Sequence, residues 1–131
     1  YERRKDAAGA SAIFTFDPAT GDYVPQRKPS FPSIDAARRI DDVGARVRTL
    51  FLGDDRVGAF LRETLAPTLV YAARVAPWIA HSIDDVDRAM RWGFGWDLGP
   101  FELMDAIGVR EVMEAARAHG VEAVPAAIQA V

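Results

Sequence analysis

Few side chains in this sequence have the types and spacing that chemistry requires. There are two histidines, His81 and His119. A general base needs an orienting partner and a substrate cleft. His81 precedes a helix cap, and His119 falls in a helix's last turn, where a cation suits the macrodipole. Neither has a partner nearby in sequence, so both read as structural or solvated. Asp84, Asp85 and Asp87 form an acidic cluster, but a metal site needs ligands converging from several directions. The pairs Asp84–Arg88 and Asp87–Arg91 stand at i, i+4 with the acid first, a favourable order on an exposed helix face. The cluster therefore reads as a solvated charged face. Glu102 and Asp105, at i, i+3, could pose as paired carboxylates. They lie opposite Phe101 and Met104, which points them to solvent or a helix-terminus contact. No Ser-His-Asp order and no lysine in a nucleophile's setting stands out. The glycines of Gly93-Phe94-Gly95-Trp96-Asp97-Leu98-Gly99 have a tempting spacing, but a dinucleotide fingerprint must follow a strand, and this one follows a helix. The expectation is no catalytic residue, no cofactor-binding residue and no metal ligand.

Composition narrows the classes further. With 16 basic residues interleaved among 19 acidic ones, and a net charge of −3, the chain has no basic stripe for nucleic acid. There is no cysteine, so disulfides and thiolate metal sites are out. The longest apolar stretch, Leu65 to Ala80, is broken by Pro67, Arg74 and Pro77 and is too short to span a membrane. No signal peptide is evident, and the expected compartment is the cytoplasm. The lack of an initiator methionine reads as a processed chain or a fragment.

The elements that must position these groups are mostly helices. Residues 1–32 read as a connector with a β-hairpin. Ala12–Phe16 and Tyr23–Val24 are its strands, and Asp17-Pro18-Ala19-Thr20-Gly21-Asp22 supplies the turn chemistry. Residues 33–131 read as helical. Ser33 would cap a short helix from Ile34. Val43, Val47, Leu50 and Phe51 form one stripe, ended by Gly53. Asp54 and Asp55 open a long helix over about 55–80, with Val57, Phe60, Leu61, Leu65, Leu69, Ala72, Ala73 and Ala76 inside. Pro67 predicts a kink near 63–66, and Pro77 a second kink or a break. Ser82 and Asp85 look like a capping pair, Ile83, Val86 and Met90 like that helix's buried face, and Gly93 like its terminator. Gly99-Pro100 starts a helix with Phe101, Met104 and Ile107 inward, stopped by Gly108. A helix over 109–119 buries Val109, Val112, Met113 and Ala116, and Pro125 opens a further one. Trp78, Trp92, Phe94, Trp96 and Phe101 predict an aromatic core cluster with an edge at an interface.

The run from Ile83 to Gly108 resembles the C-terminal helical repeat of the 3-hydroxyacyl-CoA dehydrogenase family. That repeat has the form I-D-x-A-M-x-x-G-F, then G-P-F-x-L-x-D-x-x-G. Tyr1–Arg4 looks like the tail of a preceding repeat, Tyr23–Ser33 is similar to the connector between two such repeats, and Val124–Ala127 looks like the start of a final helical segment. The resemblance implies a mainly α fold, a helical C-terminal dehydrogenase-type domain with a small N-terminal β-hairpin, standing as the second repeat. It also implies that NAD, the catalytic histidine–glutamate pair and a catalytic asparagine belong to other parts of the parent enzyme. This chain has no asparagine. Gly93, Gly99, Pro100, Phe101 and Asp105 carry over as structural positions only. The implied partners are a sister helical repeat and the parent's Rossmann domain. A face left bare without them, around Trp92, Phe94, Trp96 and 121–131, predicts self-association, most simply a homodimer. The competing reading is a stand-alone helical protein-interaction module.

Overall fold

In the computed structural model, which describes residues 1–5 and 9–121, the chain divides into two compact units, Tyr1–Ser30 and Phe31–Val131. The first is a three-stranded antiparallel sheet of β1 (Glu2–Lys5), β2 (Ser11–Asp17) and β3 (Asp22–Pro25), in that order. Strands β2 and β3 form the expected hairpin, with Phe16 opposite Tyr23 and Asp17 opposite Asp22. In its turn the Asp17 carboxylate accepts from the Ala19 N–H at 2.9 Å, and Gly21 takes a φ of +75°, which costs glycine little. Strand β1 was not expected: Glu2-Arg3-Arg4-Lys5 has no apolar alternation. Its side chains explain its place. The Arg4 guanidinium lies 5.4 Å from the Phe14 ring centre and 5.1 Å from that of Tyr23, and also bonds Glu2. Cations over aromatic faces hold this edge strand where apolar burial does not.

The second unit holds six helices: α1 (Pro32–Ala37), α2 (Val43–Phe51), α3 (Arg56–Ile79), α4 (Ile83–Phe94), α5 (Pro100–Ile107) and α6 (Val109–Ala118). The long α3 packs against α2, α4, α5 and α6. Ala66, Ala73 and Ala76 on its buried side let neighbours come close, while Leu69 and Val70 fill the space between them. Opposite them lie Phe51, Ile107, Val112 and Met113, all buried. As expected, Phe101, Met104 and Ile107 on α5, and Val112, Met113 and Ala116 on α6, face inward.

The caps are mostly those the sequence advertises. Asp55 accepts from the Gly58 N–H, and Ser82 accepts from the Asp85 N–H. Asp42 caps α2 in the same way through the Ala45 N–H. The expected cap at Ser33 is wrong: Phe31 is the N-cap and Pro32 the first helical residue, so Ser33 lies inside the first turn. Of the two outcomes expected at Pro77, a second kink or a break, the break does not occur: α3 runs continuously through Pro67 and Pro77. Each proline removes one backbone donor. At Pro67 the buried Ala66, Leu69 and Val70 hold the helix in place. Near it the Thr64 and Thr68 hydroxyls donate to the Phe60 and Thr64 carbonyls. Pro77 stands in the last turn, after the final buried residue, Ala76.

The stripe on α3 also includes one misplaced residue: Phe60 is 61% exposed. At the start of α3, Gly58 passes so close to the end of α2 that a Cβ would lie 2.0 Å from the Gly53 carbonyl oxygen. Arg62 closes the same corner, donating to the Phe51 and Gly53 carbonyls. These would otherwise be orphan acceptors at the end of α2. The helix expected from Pro125 lies outside the described residues.

Candidate functional site

The motif residues meet where α4 joins α5. A helix that starts with proline has no first N–H to satisfy, so its first donors are those of Phe101 and Glu102. Both are taken by Asp87 of α4: Oδ1 accepts from Phe101 at 2.8 Å and Oδ2 from Glu102 at 3.2 Å. The Gly99 N–H goes to Glu102 Oε2 at 2.7 Å, and Arg91 on α4 donates to Glu102 Oε1 at 3.0 Å. One carboxylate of α4 thus caps α5, and one carboxylate of α5 is held by an arginine of α4. The two helices are cross-linked by charge-assisted hydrogen bonds in both directions.

Asp87 is 7% exposed, the one buried charged side chain among the described residues. Burial pushes its carboxyl above the ordinary carboxylate value, and this outweighs the two backbone N–H groups that pull it down. The nearby charges of Glu102 and Asp84 push the same way. Its neighbour Asp85 is held below the ordinary value by the Arg88 guanidinium and, more weakly, by the Ser82 hydroxyl. The expected pairs Asp84–Arg88 and Asp87–Arg91 therefore do not form. Arg88 bridges to Asp85 and Arg91 to Glu102. The reason is that Asp87 lies on the inner side of α4, where the start of α5 offers it two N–H groups, while Arg91 reaches a carboxylate on the other helix.

This closeness explains Gly99. A Cβ there would lie 2.3 Å from Asp87 Oδ1 and 2.4 Å from its Cα and Cβ. A positive φ, the other reason for glycine at such a turn, is not the cause: φ is −74°. Steric exclusion by the neighbouring helix, not backbone handedness, demands glycine. Pro100 and Phe101 are buried beside it, whereas Asp105 is exposed one turn further on. Gly93 is not the terminator of α4. The helix runs on to Phe94, and Gly95, with φ +69°, ends it. The Trp96 N–H then bonds the Met90 carbonyl at 3.3 Å, closing the left-handed cap. Gly93 is exposed, and a Cβ on it would meet nothing within 4 Å.

The aromatic core cluster does not form as expected. Phe101 is buried and Trp96 packs partly against the core, but Trp78, Trp92 and Phe94 are 80%, 80% and 76% exposed. Ile83, expected inside, is also exposed, because α4 meets its neighbours mainly through Val86, Asp87 and Met90. His81 and His119 are exposed. His81 borders a shallow groove with Ile79, Asp85, Val86 and Met90. No group of three or more histidine, cysteine, aspartate or glutamate side chains among the described residues could hold a metal ion. No described helix is long and apolar enough to cross a membrane.

A helix start is an anion site only while its N–H groups are free. At α5 the donors of Gly99, Phe101 and Glu102 all carry internal partners. The arrangement ties α4 to α5 and leaves none of these three N–H groups for a phosphate. Residue Asp87, its main strut, was missed because its charge was paired along its own helix. A signal was present: Asp87 follows Ile83 at i+4 and precedes Met90 at i+3, which puts it on the apolar stripe. It also fills the Asp of the Asp-x-Ala-Met step in the repeat pattern, with Ala89 and Met90.

Comparison with known proteins gives this joint a family. The 3-hydroxyacyl-CoA dehydrogenase C-terminal domain family matches residues 58–128, from the first turn of α3 past the end of α6. The chain is 40% identical over 102 residues to a probable 3-hydroxyacyl-CoA dehydrogenase of Bacillus subtilis (strain 168), covering 78% of this chain and 13% of that protein. It is 31% identical over 72 residues to a putative fatty acid oxidation complex trifunctional enzyme of Rickettsia felis (strain ATCC VR-1525 / URRWXCal2), which is 55% of this chain and 10% of the relative. Against the mitochondrial hydroxyacyl-coenzyme A dehydrogenase of Sus scrofa it is 38% identical over 55 residues, 42% of this chain and 18% of the relative. The chain thus spans less than a fifth of the length of each of these curated relatives. No solved structure matches. The chain belongs to the 3-hydroxyacyl-CoA dehydrogenase C-terminal domain family.

Proposed function

We propose that this chain serves as the helical C-terminal module of an NAD-linked 3-hydroxyacyl-CoA dehydrogenase of fatty-acid β-oxidation in the cytoplasm. In that enzyme it supplies packing, and the hydride transfer takes place elsewhere. The observation that carries the packing role is the α4–α5 joint. Its carboxylates and helix-start donors bond one another, which is the work of a packing joint. Gly99, Pro100 and Phe101 are then structural positions of the motif. NAD and the catalytic groups belong to a Rossmann domain of the parent chain. Relatives that extend well beyond the matched segment favour that division of labour.

Two measurements test the reading. Calorimetric titration of this chain with NAD is expected to give no binding heat, and a Kd below about 1 mM, some 4 kcal/mol, would overturn the non-catalytic role. Assay of the parent protein with a 3-hydroxyacyl-CoA and NAD is expected to produce NADH, and no production would overturn the dehydrogenase assignment. The partners in this reading are a sister helical repeat and the Rossmann domain, with a homodimer when neither is present. Light scattering of the chain at about 100 μM tests the last point. A strictly monomeric mass would exclude a dimer tighter than roughly 5–6 kcal/mol.

A further inference from the structure

We draw no further inference here: the strongest candidate, the apolar groove between the end of α3 and α4 beside the exposed Ile79 and Ile83, carries nothing further because nothing in the structure shows what covers it.

Discussion

Near the end of α4, a Cβ built on Gly93 would meet no atom within 4 Å, while a Cβ on Gly99, just before α5, would fall 2.3–2.4 Å from Asp87. Both glycines belong to one stretch of family resemblance, yet they obey different constraints. At Gly99 the chain's own packing demands glycine: the Asp87 backbone occupies the space. At Gly93 the surroundings demand nothing, and the flanking Trp92 and Phe94 stand in solvent. A sequence motif of this kind mixes positions fixed by internal packing with positions that the domain's own fold leaves free. The two are separated by substitution, because the first kind fails in the isolated chain and the second does not.

The largest effect is expected at the crowded end. Gly99→Ala forces a methyl group into backbone atoms of α4, which cannot rotate away as a side-chain tip can. Overpacking of a tight contact costs about 1–3 kcal/mol and occasionally more. With the Asp87 Cα itself in the way, a loss of about 3 kcal/mol or more is expected in urea unfolding. An unchanged midpoint would mean that α4 and α5 can part without cost, and the contrast with Gly93 would collapse.

Next comes the strut. Asp87→Ala leaves the Phe101 and Glu102 N–H groups without their acceptor at a largely buried helix start. Loss of a helix cap costs about 1 kcal/mol, and each buried donor left unpaired about 1–3 kcal/mol. Water that enters the vacated space offsets part of this, so a loss of about 2 kcal/mol is expected, smaller than that of Gly99→Ala. A loss below about 0.5 kcal/mol would show that the carboxylate's burial cancels its hydrogen bonds.

Much of the fold was legible because its punctuation is local. Asp55, Ser82, Pro100 and Gly108 mark helix ends through interactions within one turn, and the structure places ends at each. The hairpin was legible from its turn for the same reason. What escaped depends on residues far apart in sequence. Strand β1 is held by Arg4 on Phe14 and Tyr23, a contact that no pattern within Glu2–Lys5 can show. Pro77 breaks an isolated helix more readily than one docked along much of its length. Phe60 fits the α3 period but falls where none of the described helices covers it. Asp87 is the sharpest case, since its partners are 14 and 15 residues away on another element. The family motif was legible as letters. The cause of Gly99 was not, because glycine has two uses, positive φ and missing bulk, and only the geometry distinguishes them.

At the open end of the comparison the expected sign reverses. Gly93 lies inside α4 with ordinary helical backbone, so alanine suits it without strain. Glycine in a helix interior costs roughly 0.5–1 kcal/mol relative to alanine. Gly93→Ala is therefore expected to raise the stability of this chain by about that amount in urea unfolding. A loss instead would reveal a close contact at α4 that the isolated geometry does not contain.

The smallest effect is a pH dependence, and it tests which force dominates at Asp87. Burial raises its folded-state carboxyl above the ordinary value, against the pull of two N–H groups. For a group whose folded pKa exceeds its unfolded one, the linked stability is fully present below the unfolded pKa and is lost as pH rises through the folded value. Asp55, Asp85 and Glu111 are shifted the other way. Their contributions hold above the unfolded carboxylate range and are lost as pH falls. In the whole protein these opposing trends mask one another, so the useful quantity is a difference between wild type and Asp87→Asn. The asparagine keeps the shape and one acceptor but does not titrate, and the other carboxylates cancel to the extent that they are unchanged. Unfolding free energies measured from the carboxylate range up to neutral pH should show wild type gaining on Asp87→Asn as pH falls. The opposite slope, wild type gaining as pH rises, would mean that the N-terminus of α5 stabilises the ionised carboxylate by more than burial penalises it. The joint would then be held by the charge itself, and Asp87 would join Asp55 as a cap of ordinary sign.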